Sequence, residues 1–175
     1  VGACPREAVF PGGGAVFENE CALNAFLMRY LDLLLADVPE RDLDEIPYAG
    51  CNPPRWTLGH LAVYTDYCLR ATGARFRCPK EWHRCFARGS AGDSRPAEIP
   101  TGTRLLGAIH EGFAEARSRC RAMDPAAAAA PHRVPFLQGT AIDTVGHLVA
   151  HLLTTHVAAH LGQLSAWRRV RGLPA

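Results

Sequence analysis

Thr155-His156-Val157-Ala158-Ala159-His160-Leu161-Gly162-Gln163-Leu164-Ser165-Ala166-Trp167 is the stretch from which the fold can be worked out. On an α-helix the two histidines, four residues apart, lie about 40° apart around the axis and one turn apart along it, so both imidazoles look the same way. Gln163 falls on the same stripe, placed to orient one of the rings or a bound ligand. Upstream, Thr140-x-x-Asp143 makes a capping box, and downstream Gly172 and Pro174 stop the pattern, so this helix is expected to run from Ala141 to about Arg171. His147 and His151 repeat the four-residue spacing, but on a straight helix they point almost opposite to His156 and His160 and read as surface or interface residues. His83, His110 and His132 have no partner at ligand spacing and read as solvated.

Three more helices precede it. Phe17, Cys21, Leu27, Met28, Leu31, Leu34, Leu35 and Val38 recur at three- and four-residue steps, which predicts a first helix from Glu18 to Asp37. Pro39, Pro47, Gly50 and Pro53 break the pattern, and Pro54 stands where a second helix can begin without losing a hydrogen bond, giving Arg55 to about Thr72. The third starts at a Thr101 or Thr103 cap, buries Leu106, Ile109, Phe113, Ala116, Cys120 and Met123, and ends before Pro125. Between the second and third, residues 73–100 show no sustained period and read as a long connection with one short turn around Trp82; residues 125–135 are a shorter linker. The chain is thus expected to be all-α, a four-helix bundle at residues 18–175 behind a flexible, Gly-rich lead at residues 1–17.

In such a bundle the second helix supplies a third imidazole. His60 lies in its second turn, in Trp56-Thr57-Leu58-Gly59-His60-Leu61, with Tyr64 and Tyr67 on the same face as hydrogen-bonding candidates beside Gln163. Facing helices hold metal sites well because helix rigidity fixes ligand geometry. His60, His156 and His160 are therefore the candidate ligands of one divalent transition metal, zinc first, with nickel or iron(II) as alternatives. Three neutral imidazoles leave a coordination position open. On zinc a water there can have its pKa lowered to about 7, and the same position can take a thiolate or a carbonyl. With no fourth protein ligand in view, a purely structural metal is disfavoured.

Composition narrows the field. The net charge of +2 comes from 19 basic and 17 acidic residues scattered along the chain, with no basic stripe for nucleic acid or an anionic membrane. The longest apolar stretches are too short and too interrupted to span a bilayer. Seven cysteines without a C-x-x-C read as reduced, mostly buried thiols, and the amino end lacks the pattern of a signal peptide, so a cytoplasmic protein is expected.

The carboxyl-terminal run from His156 to Arg169, closing in Gly172-Leu173-Pro174, resembles the last helix of the DinB-like (DinB/YfiT) superfamily. Trp56-Thr57-Leu58-Gly59-His60-Leu61-Ala62 is similar to that family's second helix, and Trp82 to Ser90, with Phe86 and Gly89-Ser90, to a segment of one of its branches. The resemblance implies an up-down-down-up topology, in agreement with the long loop between helices two and three. It also implies a metal triad of one histidine from helix two and an H-x-x-x-H from helix four, which carries over to His60, His156 and His160. The superfamily includes thiol-cofactor-dependent transferases and isomerases and the helical domain of ergothioneine-pathway sulfoxide synthases, so fold membership alone does not choose a chemistry.

Three functions remain. The first is a metal-dependent enzyme that activates a low-molecular-weight thiol for transfer to a small electrophile. The second is a metal-dependent hydrolase, and the third a non-enzymatic, metal-stabilised binding or dimerisation module. A homodimer through an exposed helical stripe is compatible with each.

Overall fold

The computed structural model describes residues 16–46, 50–90 and 96–174, and among them there is no strand. Most of the lead at residues 1–17 lies outside the described residues. The four expected helices appear as α1 (Glu18–Leu35), α2 (Pro54–Ala71), α4 (Gly102–Arg121) and a broken fourth helix, α6 (Val145–Leu153) followed by α7 (Thr155–Val170). The turn expected around Trp82 is a short helix, α3 (Lys80–Phe86), and the 125–135 linker contains another, α5 (Pro125–Ala129).

Side-chain bonds set the directions. Arg55 at the start of α2 donates to the Pro100 carbonyl just before α4, and Thr65 lies against Gly112 further along both, so α2 and α4 run parallel. Asn24 early in α1 meets the carbonyl of Leu153, the last residue of α6 just before α7, and Arg168 late in α7 donates to the Leu34 carbonyl, so α1 and α7 are parallel too. Arg117 meets Asn24, and His110 meets Asp32, so α4 opposes α1. The topology is therefore up-down-down-up, and two parallel neighbours joined in sequence need the long crossover of residues 73–100.

α2 is the axis of the molecule: all of its residues but Tyr67, Arg70 and Ala71 are buried. Its apolar side chains Leu58, Leu61, Val63 and Leu69 share one core with Ile109 and Phe113 of α4, Leu31 of α1 and Leu161 of α7, all nearly inaccessible to solvent. Each fully buried Leu or Phe contributes about 1.5–3 kcal/mol. The α2–α4 contact is close because Gly112 has no side chain; a Cβ there would stand 2.2 Å from Thr65 Oγ1. On α4 the core takes Leu105, while the expected Leu106 is only half-buried.

A helix buried on all sides must satisfy its polar groups internally. Asp66 of α2, wholly buried, accepts from the backbone N–H of Arg77 at 2.8 Å and of Cys78 at 2.9 Å and pairs with His83 Nε2 at 2.8 Å. That carboxylate ties down the crossover just after α2. His83 is thus held by a hydrogen bond to Asp66 and is largely screened from solvent, and His132 is buried, donating to the Ile142 carbonyl and accepting from the Val134 N–H. His110, bonded to Asp32, is partly exposed. The six described cysteines are free thiols, and Cys21, Cys68, Cys85 and Cys120 among them are buried.

The fourth helix departs most from expectation. It begins at Val145 with Thr144 as its cap, not at Ala141, and it breaks at Thr154, whose backbone (φ −122, ψ −80) is not helical. The Thr154 hydroxyl donates to the Ala150 carbonyl at 2.6 Å, a back-bond that competes with the helical ladder and bends helices. Asn24 holds the Leu153 carbonyl at 2.8 Å from the side, so the break is braced by the core.

Candidate metal centre

His60 owes its position to its neighbour Gly59. The Phe86 ring at the end of α3 packs on Gly59, where a Cβ would stand 2.4 Å from the ring. This approach brings the Phe86 carbonyl to 2.6 Å from His60 Nδ1, so Nδ1–H donates to it and Nε2 keeps its lone pair. Trp56, one turn earlier, stacks on the His60 ring at 4.7 Å between centroids, and its indole N–H donates to Ser90 Oγ at 3.2 Å. Tyr64, one turn later, covers the other side at 4.2 Å and also stacks on His156 at 4.1 Å. The imidazole is thereby clamped between aromatic rings of its own helix.

α7 delivers His156 and His160 to the same point. The ring centroids of His60, His156 and His160 are separated by 5.2, 4.5 and 4.7 Å, and one ring nitrogen from each lies within 4.8 Å of the others. His60 Nε2 and His156 Nε2 are 3.3 Å apart. Two nitrogens bound tetrahedrally to one zinc at its usual bond length are about 3.3–3.4 Å apart, so this pair already spans the required distance. His160 Nδ1–H donates to Gln163 Oε1 at 2.9 Å, which again leaves Nε2 to face the cluster. Gln163 is itself exposed and touches the site only through this bond.

None of the three rings is suited to carry a charge. Burial pushes the His60 pKa down to about 4, with His160 adding to the drop. Burial, His160, His60 and His151 together push His156 down to about 2. Burial also lowers His160, partly opposed by Gln163. His156 Nδ1 is sealed from solvent without a hydrogen-bond partner among the described residues. An unsatisfied buried polar atom costs about 1–3 kcal/mol, and three inward, neutral imidazoles are a poor way to fill a core. The donor set fits a borderline transition cation such as zinc, which takes neutral imidazole nitrogens and offsets their burial.

The cluster opens on a pocket of about 1410 Å³ between α2, the 87–90 turn, residues 131–137 and α6. Tyr67 lines it and meets Tyr64 edge-on at 5.0 Å and His83 edge-on at 5.7 Å. His151 lines it as well, half-buried, its ring 5.8 Å from that of His156. This corrects the expectation that His151 is a surface residue: the break at Thr154 changes the azimuth of α6 relative to α7 and swings His151 round to the pocket. His147 remains exposed, paired with Asp143 at 2.8 Å. Sequence reasoning missed the Phe86 carbonyl because backbone acceptors leave no residue-type signal; Gly59 beside His60 was the available clue to a close approach.

The sequence model of the DinB superfamily matches residues 24–164. Among solved structures, YfiT from Bacillus subtilis, described as "a probable metal-dependent hydrolase with an unusual four-helix bundle topology", superposes with a TM-score of 0.68. At 15% identity the alignment covers 98% of this chain and 95% of that one, so the likeness is one of fold. No curated protein matches the sequence.

Proposed function

We propose, for a chain that belongs to the DinB superfamily, that His60, His156 and His160 hold one divalent transition metal, zinc foremost, in a small-molecule enzyme that transfers a thiol to an electrophile. The observation that carries this reading is the convergence of three neutral imidazoles, two of them with Nε2 atoms 3.3 Å apart, at the wall of a large pocket. A cation held there lowers the pKa of a thiol or water that it binds and polarises an acceptor group.

The protein's own part is positioning. The Phe86 carbonyl and Gln163 Oε1 fix the His60 and His160 protons at Nδ1 and aim both Nε2 lone pairs inward. Trp56 and Tyr64 hold the His60 ring between them and form part of the pocket wall beside it. His151, with Nδ1 engaged by Thr155 Oγ1 at 2.7 Å, has Nε2 left for a hydrogen bond to substrate, and the Tyr64 and Tyr67 hydroxyls are further donors.

Thiol transfer is preferred to hydrolysis because no Asp or Glu lines the pocket among the described residues. A thiol, with an ordinary pKa of about 8.5, ionises readily once bound to a cation, whereas water is a far weaker acid and hydrolytic sites commonly add a carboxylate base. Hydrolysis is the second reading, favoured by the description of YfiT. The described free thiols fit a reducing compartment such as the cytoplasm.

The test begins with elemental analysis of purified, untagged protein beside His156→Ala/His160→Ala. About one equivalent of zinc, nickel or iron in the wild type and none in the folded double variant is expected. Metal-loaded protein should then consume thiol in the presence of an electrophile, while ester hydrolysis without thiol would favour the second reading. A wild type that takes up none of these ions would overturn the proposal.

A further inference from the structure

The pocket beside the triad has an unbalanced charge. Arg70, Arg88 and Arg133 line it, and no carboxylate does so among the described residues. Several arginines elsewhere, Arg55, Arg77, Arg119 and Arg168 among them, have a carboxylate partner. Arg70, Arg88 and Arg133 are exposed, and with no counter-charge among the described residues they give the concavity a positive rim that favours an anion.

Arg88 is the best placed of the three. Its guanidinium lies over the Phe136 ring, 4.3 Å from the centroid, and this contact holds it at the mouth. Arg88 lines the same pocket as Tyr64, whose ring stacks on His156. The remaining walls are mainly apolar, including Trp56, Phe136, Leu137 and Leu152.

We propose that Arg88, with Arg133 and Arg70, is an anion-recognising rim, and that the molecule acted on at the triad is an organic anion, a carboxylate or sulfonate with an apolar body. This names a substrate class for the reading above and rests on it. Arginine suits the role because its planar fork takes a carboxylate through two parallel hydrogen bonds. The anion belongs either to the thiol or to its acceptor.

The probe is 8-anilinonaphthalene-1-sulfonate, titrated by fluorescence beside its uncharged parent N-phenyl-1-naphthylamine. The sulfonate should bind at least tenfold more tightly and weaken with added salt. Arg88→Ala should raise its Kd about tenfold and leave the neutral compound unchanged, while Arg169→Ala, on the exposed face of α7, changes neither. His156→Ala/His160→Ala should keep the sulfonate affinity, so a failure of metal binding would not be mistaken for a failure of the rim. Equal affinity for both probes, or loss of sulfonate binding in the histidine variant but not in Arg88→Ala, overturns the proposal. Displacement by mercaptoacetate assigns the anion to the thiol, displacement by cinnamate assigns it to the acceptor, and displacement by neither also overturns the proposal.

Discussion

The Phe86 carbonyl stands 2.6 Å from His60 Nδ1, and the two can meet only because residue 59 has no side chain. Gly59→Ala puts a methyl group into the Phe86 ring, which must retreat and take the carbonyl with it. Overpacking of this kind costs about 1–3 kcal/mol. Losing the group that orients a metal-binding histidine weakens affinity by about 10–100-fold. Urea unfolding and a zinc titration against a competing chelator should show both losses.

Gln163→Ala isolates orientation from packing. Gln163 is exposed and its Oε1 accepts from His160 Nδ1–H at 2.9 Å, so its removal should leave stability within about 0.5 kcal/mol of the wild type. Zinc affinity should still fall by about tenfold or more. Unchanged affinity in the chelator titration would remove Gln163 from the site.

The metal-free protein should lose stability in acid over a defined window. His60, held down to about 4, and His156, held down to about 2, stay neutral when folded, whereas in the unfolded chain each titrates near 6.5. Below pH 6.5 the unfolded state therefore binds more protons, and stability falls with pH toward the two folded values. Urea unfolding from pH 7.5 to pH 4 should show this slope, and His156→Asn should flatten it. Bound zinc adds to the effect, because protonated imidazole cannot ligate.

Asn24 couples the first helix to the break in the fourth. It is wholly buried, donates to the Leu153 carbonyl at 2.8 Å and accepts from Arg117 at 2.6 Å. Asn24→Ala strands both partners and should cost about 2–4 kcal/mol, more than an exposed polar residue of similar size. Thermal or urea denaturation reads the loss directly.

The sequence by itself determined the four long helices, the long crossover and the histidines that meet. Amphipathic spacing is a local property, and the four-residue step between His156 and His160 places both rings on one face in any helix. It could not settle His151, because the helix around it is not straight: Thr154 back-bonds to Ala150, and Asn24, distant in sequence, braces the carbonyl at the break. The Phe86 carbonyl on His60 and the arginine-lined pocket were equally out of reach, since a backbone acceptor has no residue type and a pocket belongs to no single segment. Helix periods are written in neighbours a turn apart, whereas the charge state of an imidazole and the shape of a cavity depend on what distant segments bring to them, and only the tertiary structure decides that.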